Sequence, residues 1–266
     1  MSMTPEQIER AATIIAENRL HGKRLDTLDA DIRPADLRDA YAVQEEYNTI
    51  LSGRGLGELS GYKIGCTTPV MQEYMNIHEP AFGEVFGSLT FRNHAELPHA
   101  NFVEPGVEAE IAVTLGADLP VSTTPYTRES VREAVEAVMI SMELVDARYR
   151  DYRDLDTPTM AADNFFNAAV VLGDPVTDWQ NFDLAGCEAT VRLNGEELGR
   201  GNGSLIMEHP FEALAWLANR LGERTRYLKA GEFVTLGSVI PTHWVSAGDR
   251  IDHEIPGLGA VSITLA

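Results

Sequence analysis

Val107-Glu-Ala-Glu-Ile-Ala-Val-Thr-Leu115 places two glutamates inside an otherwise apolar run. Read as a β-strand, it puts Val107, Ala109, Ile111 and Val113 on one face and Glu108 and Glu110 on the other. The two Cβ atoms would then lie roughly 7 Å apart. Carboxylates that close repel each other unless a cation lies between them or one takes a proton. Glutamate is also a poor strand former, so two of them in this run carry a cost. An edge strand with a solvated polar face would account for Glu-x-Glu by itself.

Glu143 shifts that balance. It lies in Val138-Met-Ile-Ser-Met-Glu-Leu-Val145, an apolar stretch of the kind usually buried on both faces. A buried carboxylate needs a positive partner or a proton. A structural pair with Arg148 would satisfy it. Convergence with Glu108 and Glu110 from a neighbouring strand would instead make a hard-oxygen site suited to Mg²⁺ or Mn²⁺.

Outward from these strands the pattern is α+β. Thr4-Pro5-Glu6 is a helix start, with Ile8, Ala11, Ala12 and Ile15 following at helical spacing. Pro34 is expected to open a second helix that runs to Gly53 or Gly55, and His21 to Arg33 reads as a loop. Residues 1–60 form a helical N-terminal region, and residues 61–266 a β-rich body. In that body Tyr62-Lys63-Ile64, Ala168 to Leu172, Glu232 to Leu236, Asp249 to Ile255 and Ala260 to Leu265 are strand candidates. Thr127 to Ala137 is expected to be a helix. Asn194-Gly195 centres a hairpin over Glu188 to Leu198, and Phe211 to Leu221 is an amphipathic helix begun at Pro210.

Composition narrows the function classes. The 266 residues include 44% hydrophobic ones, enough for a sizeable core, and no apolar run is long enough to cross a bilayer. The first residues lack the basic-then-apolar order of a signal peptide, and two cysteines make no disulfide framework, so a reducing cytoplasm is expected. The net charge of −20 disfavours nucleic acid and membranes as partners. An anionic substrate would need local positive charge, which a metal ion supplies. Simple solubility also explains the acidity.

Other residues invite chemistry. Lys63 sits between Gly61 and Gly65 in a short strand, although a surface lysine is equally ordinary. His78 and Glu79 fall in a loop, and Asp163-Asn164 also suits a turn. No nucleophile elbow, phosphate-binding loop or His-Glu-x-x-His is present.

Taken in order, Gly61-Tyr-Lys-Ile-Gly65-Cys-Thr, Glu79-Pro-Ala-Phe-Gly83, Val107-Glu-Ala-Glu-Ile-Ala112, Glu143-Leu-Val-Asp-Ala-Arg148, Ala162-Asp-Asn164 and Gly237-Ser238 resemble one family. It comprises the 2-oxopent-4-enoate (2-hydroxypentadienoate) hydratases and 4-oxalocrotonate decarboxylases of the fumarylacetoacetate hydrolase superfamily. The resemblance covers nearly the whole chain. It implies a mixed β-roll body with a helical N-terminal region, a homo-oligomer, and Mg²⁺ or Mn²⁺ held by Glu108, Glu110 and Glu143. The family's active-site lysine falls on Lys63, and His78 is the candidate acid/base. Glu79, Asp163, Asn167 and Ser238 are the candidate substrate contacts. Association with a related pathway enzyme is also consistent with it.

Several positions depart from the hydratase pattern. His78 replaces an acidic residue, Ala162-Asp-Asn-Phe-Phe-Asn-Ala168 carries Phe165, Phe166 and Asn167, and Pro241-Thr-His-Trp244 is unusual. These changes fall on pocket positions and leave the carboxylates intact. A small 2-oxo acid can chelate a divalent metal, and hydration, decarboxylation and C–C hydrolysis can all pass through its enolate. Hydration is the leading expectation. Decarboxylation, acylpyruvate-type hydrolysis (with His21 or His78 in its Glu–His pair) and a non-catalytic acidic metal-binding subunit are the alternatives.

Overall fold

The computed structural model describes residues 2–74, 77 and 79–266. Two helices, α1 (Pro5–Leu20) and α2 (Leu37–Leu51), open the chain. Thr4 and Gln7 form a reciprocal cap on α1. The second helix starts later than Pro34 suggested, because the Asp36 side chain accepts the Asp39 N–H and caps it there.

Strand β1 (Leu59–Gly65) leads through α3 (Pro69–Tyr74) to β2 (Ala81–Phe86), β3 (Thr90–Arg92), β4 (His94–Leu97) and β5 (Pro105–Leu115). After α4 (Arg128–Arg132) come β6 (Val135–Asp146), α5 (Thr157–Ala162), β7 (Asn167–Leu172), β8 (Glu188–Leu193) and β9 (Glu196–Asn202). Helix α6 (Pro210–Glu223) precedes β10 (Phe233–Ser238), β11 (His243–Trp244), β12 (Arg250–Ile255) and β13 (Gly259–Leu265). The helix expected over Thr127 to Ala137 is therefore confined to one short turn. Val135 and Ala137 pair with Leu115 and Thr114 of β5, and this sheet pairing overrides the local helical preference.

Among the described residues, one sheet has the order β2-β1-β10-β5-β6-β7-β3, with β11 pairing on β5, and a second has the order β4-β13-β12-β8-β9. Strand β5 thus lies between β10 and β6, and the edge-strand account of Glu-x-Glu does not hold. Its apolar face (Val107, Ala109, Ile111, Val113) belongs to a core shared with Val191, Ile251 and Ile263 of the second sheet and with Leu214 and Leu217 of α6. The mixed α+β architecture with its helical start matches the fold implied by the resemblance. No helix among the described residues is long and apolar enough to cross a membrane.

The N-terminal helices pack on the body through Ala11, Ala12, Ile15, Val43, Tyr47 and Leu51 with Phe86 and Ala162. Polar ties reinforce this contact: buried Gln44 donates to the carbonyls of Phe82 and Ala161 at 3.1 and 2.7 Å.

The sheets also meet at His253 of β12, whose Nδ1–H donates to the Ser141 carbonyl of β6 at 3.0 Å. The ring is fully buried and its Nε2 has no hydrogen-bond partner. Burial depresses its pKa to about 4, partly offset by the Ser141 bond. The unfolded chain therefore binds this proton near pH 6.5 and the folded chain near 4. The contribution of neutral His253 is complete above pH 6.5 and is lost as pH falls toward 4, amounting to about 3 kcal/mol. His253→Gln, which keeps a donor for Ser141, is expected to lose less stability than the wild type between pH 7 and 4.5 in urea titrations. Parallel losses in both proteins would contradict this.

Candidate active site

The site is built on the polar face of the central strands. Pairing of β5 with β6 sets Glu108 directly opposite Glu143, with Glu110 one step along on the same face. An oxygen from each of the three carboxylates lies within 4.8 Å of the others. Glu110 and Glu143 are completely buried, while Glu108 is partly open.

Each carboxylate is oriented by a different element. Glu108 accepts from the Thr242 hydroxyl at 2.5 Å, just ahead of β11. Glu110 accepts the Gly237 N–H at 3.0 Å. Gly237 adopts φ +124°, and a Cβ there would come within 2.3 Å of the Thr67 hydroxyl, so a larger residue cannot aim this N–H in the same way. Glu143 accepts from Asn167 Nδ2 at 2.8 Å, and its other oxygen is 3.3 Å from Lys63 Nζ.

Lys63 reaches the group from β1, which runs parallel to β10 with Lys63 opposite Thr235. It is buried, and the Phe165 ring centroid is 5.6 Å from its ammonium. Burial alone would lower its pKa, but Glu143, Glu108 and Glu110 outweigh this and hold it above the usual lysine range. The carboxylates move the other way. Burial, then repulsion from Glu143 and Glu108, pushes Glu110 well above the ordinary carboxyl range. Burial also raises Glu143 to about 7, against the pull of Lys63.

One ammonium thus faces three carboxylates in a buried space. Oε1 of Glu110 has no hydrogen-bond partner, and Oε2 of Glu143 has only the Lys63 ion pair. Unpaired anionic oxygens in the interior are costly. Three hard oxygen donors at this spacing, with a single lysine to offset them, fit a divalent cation such as Mg²⁺ or Mn²⁺, which would replace the protons that burial and mutual repulsion favour.

Glu108 and Lys63 form the floor of a cavity of about 540 Å³. Ser238 lines it, but its hydroxyl is committed to the carbonyls of Ala109 and Ile240 at 3.2 and 2.7 Å, holding the turn after β10. Cys66 also lines it, and burial raises its thiol to about 12, which keeps it protonated. Phe165 and Phe166 form one wall, set by a turn in which Asn164, Phe165 and Phe166 have φ of 49°, 47° and 64°. Three successive non-glycine residues in this region carry strain of about 1–2 kcal/mol each. Asn164 pins the turn by donating to Asn48 Oδ1 at 2.6 Å and accepting from the Glu84 N–H at 3.0 Å.

Other candidates lie elsewhere. Asp163 is buried behind the cavity, where Arg148 donates to it at 2.6 Å; Arg148 also lies 3.7 Å from Asp146. Arg148 therefore pairs with these aspartates, whereas Glu143 turns to Lys63 and Asn167. Asn167 meets Glu143 and does not line the cavity. Glu79 lines a separate cavity of about 520 Å³ beside α2 and α6 and accepts a hydrogen bond from Arg220. His78 lies outside the described residues. Thr242 and Trp244 line the cavity, as the unusual Pro241-Thr-His-Trp244 led one to expect of pocket positions, whereas the Gly237 N–H and Tyr152 were not foreseen as site groups.

The fumarylacetoacetate hydrolase C-terminal model matches residues 88–266. The chain belongs to the fumarylacetoacetate hydrolase family. It is 34% identical to the 2-keto-4-pentenoate hydratase of Paraburkholderia phymatum, over 96% of each chain. It is 37% identical to the 2-hydroxyhexa-2,4-dienoate hydratase of Comamonas testosteroni, over 86% of this chain and 88% of that one. The 4-oxalocrotonate decarboxylase from Pseudomonas putida G7, complexed with magnesium and adipate, superposes with a TM-score of 0.93 at 27% identity, covering 100% of this chain and 99% of that one. These relatives are the branch of the family that the sequence motifs resemble.

The Arg148–Asp163 pair allows a direct test of position. Asp163→Asn would leave a buried guanidinium short of its nearer partner, at a cost of about 3–5 kcal/mol. Urea unfolding is expected to register that loss, while the ligand affinity of the folded protein stays near the wild-type value. A stable variant with lost ligand affinity would return Asp163 to the substrate contacts.

Proposed function

We propose that this protein is a divalent-metal-dependent hydratase that adds water to a 2-hydroxy-2,4-dienoate or its 2-oxo-enoate tautomer, with Glu108, Glu110 and Glu143 holding the metal. The observation that carries this reading is the convergence of three carboxylates and a buried lysine, of which Glu108 and Lys63 line one substrate-sized cavity. Relatives named hydratases at 34–37% identity support hydration, and fold alone does not choose the reaction. A buried, charged lysine beside the triad favours a catalyst over a purely structural metal-binding subunit.

A bound Mg²⁺ or Mn²⁺ would supply Lewis acidity toward the carboxylate and keto oxygens of the substrate. The chain's own residues then account for the rest. Lys63 presents fixed positive charge where the 2-oxygen gathers negative charge, and donates a hydrogen bond to it. Phe165 and Phe166 keep bulk water from the ammonium, which strengthens that interaction. Asn167 fixes the Glu143 carboxylate, and Arg19 of α1 fixes Asn167 through its backbone carbonyl at 2.7 Å. In this way the N-terminal helices support the β-rich body. In the overall change from the 2-hydroxy-2,4-dienoate the enol hydrogen leaves the 2-oxygen, C3 and C5 each gain a hydrogen, and the hydroxyl of water bonds to C4, yielding a 4-hydroxy-2-oxo acid. His78 is the proposed acid/base, because an imidazole titrates near neutrality. The family resemblance further supports a cytoplasmic homo-oligomer.

Metal-loaded protein is expected to consume 2-hydroxypenta-2,4-dienoate, followed by loss of its ultraviolet absorbance and formation of 4-hydroxy-2-oxopentanoate. Lys63→Met should lower kcat by roughly 10²–10³-fold. Binding of 2-oxo acids without any hydration would overturn the assignment of reaction.

A second expectation concerns the metal itself. Asn167→Ala should weaken Mn²⁺ binding roughly 10–100-fold by calorimetry. Glu110→Gln should raise Tm in chelator, by removing buried repulsion, and abolish the rise in Tm that Mn²⁺ gives the wild type. Retention of that rise in the variant would remove Glu110 from the metal ligands.

A further inference from the structure

The cavity has a polar floor and a different upper part. Above Glu108 and Lys63 its walls are Val145, Phe166, Ile240, Tyr152 and Trp244, with Leu205 at the mouth, 45% exposed. Trp244 lies against the sheet at Gly106, where a Cβ would come within 2.9 Å of the indole, and its ring is 5.1 Å from that of Tyr152. The two rings make a continuous aromatic side. Among the described residues that line the cavity, Lys63 is the only cation, and it is already paired with Glu143 on the floor.

Size and charge point the same way. A cavity of about 540 Å³ falls in the roughly 300–1,000 Å³ range that accepts drug-sized ligands, more than a five-carbon acid requires. A second carboxylate placed against these walls would be desolvated with no cation among the described lining residues to pair with it. The net charge of −20 would also oppose a dianion more strongly than a monoanion.

We infer that this site selects 2-oxo or 2-hydroxydienoic acids whose far end is an apolar alkyl or aryl group, and discriminates against those that end in a second carboxylate. The inference rests on the 2-oxo-acid reading proposed for the same site and goes beyond it by naming the substrate's distal group. The acid end lies over Glu108 and Lys63, and the tail lies between the Trp244–Tyr152 side and Phe166.

Unreactive acids separate tail recognition from reactivity. Calorimetry on Mn²⁺-loaded protein would compare 2-oxopentanoate, 2-oxo-5-phenylpentanoate and 2-oxohexanedioate. Burial of the phenyl ring predicts binding roughly 10–100-fold tighter than 2-oxopentanoate, with the dicarboxylate at least roughly 10-fold weaker. Trp244→Ala should bring the phenyl advantage down to about 3-fold or less. Leu205→Arg, at an exposed position, should improve dicarboxylate binding and thereby reverse the order between it and 2-oxopentanoate. Equal affinities across the series, or preference for the dicarboxylate in the wild type, would overturn the inference even if dienoate hydration is observed. The predicted order without hydration would uphold the inference and reject the hydratase assignment. Binding of none of the three acids would reject both.

Discussion

The ion pair between Lys63 and Glu143, 3.3 Å long and shut away from water, offsets only one of three neighbouring carboxyl groups. Much of the surrounding structure serves to hold that imbalance in place. Strand β5 is central because its other face is needed in the core shared by both sheets, and so the glutamates cannot turn out to solvent. Donors from three separate segments, Thr242, Gly237 and Asn167, each take one carboxylate oxygen. With these bonds made, Oε1 of Glu110 is a buried oxygen without a hydrogen-bond partner, and Oε2 of Glu143 has only the Lys63 ion pair. The electrostatic cost is concentrated where a doubly charged cation relieves it.

A second charged network does a different task. Arg148 is as buried as Lys63, and one of its two aspartate partners is itself tied down: Asp146 accepts the N–H groups of Val103 and Glu104, each at 2.8 Å. This cluster locks the end of β6 to the residues that follow α5. The two cationic centres therefore divide the work. Lys63 faces a cavity and has carboxylates in excess, whereas Arg148 faces only protein.

Legibility in the sequence followed the range of the interactions. The alternation in Val107 to Leu115 and the apolar run around Glu143 are local, and they identified both the strands and the carboxylate cluster, because period-two geometry fixes which side chains share a face. Asn194-Gly195 and the Thr4-Pro5 start were equally local. Lys63 and Thr235 meet through a parallel pairing of strands far apart in sequence, and no neighbouring residue records it. The Gly237 N–H leaves little trace, since any non-proline backbone has such a donor. Local chemistry misled at Thr127 to Ala137, where pairing with β5 decided the conformation, and at Arg148, whose nearness to Glu143 in sequence hid its contact with Asp163.

The left-handed turn at Asn164–Phe166 bears on how such a scaffold diversifies. Hydrogen bonds to Asn48 and Glu84, on α2 and β2, hold its backbone, while its phenyl rings line the cavity, with Phe166 also packed on Tyr149. The frame and the surface it displays are thus decoupled. Smaller residues, glycine above all, would relax the backbone there while opening the wall. New substrate tails can then be accommodated by exchanges at two adjacent codons, on a segment whose fixings lie outside the carboxylate cluster. In a lineage that explores related acids, innovation would be expected to gather at this turn while the glutamates and Lys63 stay fixed.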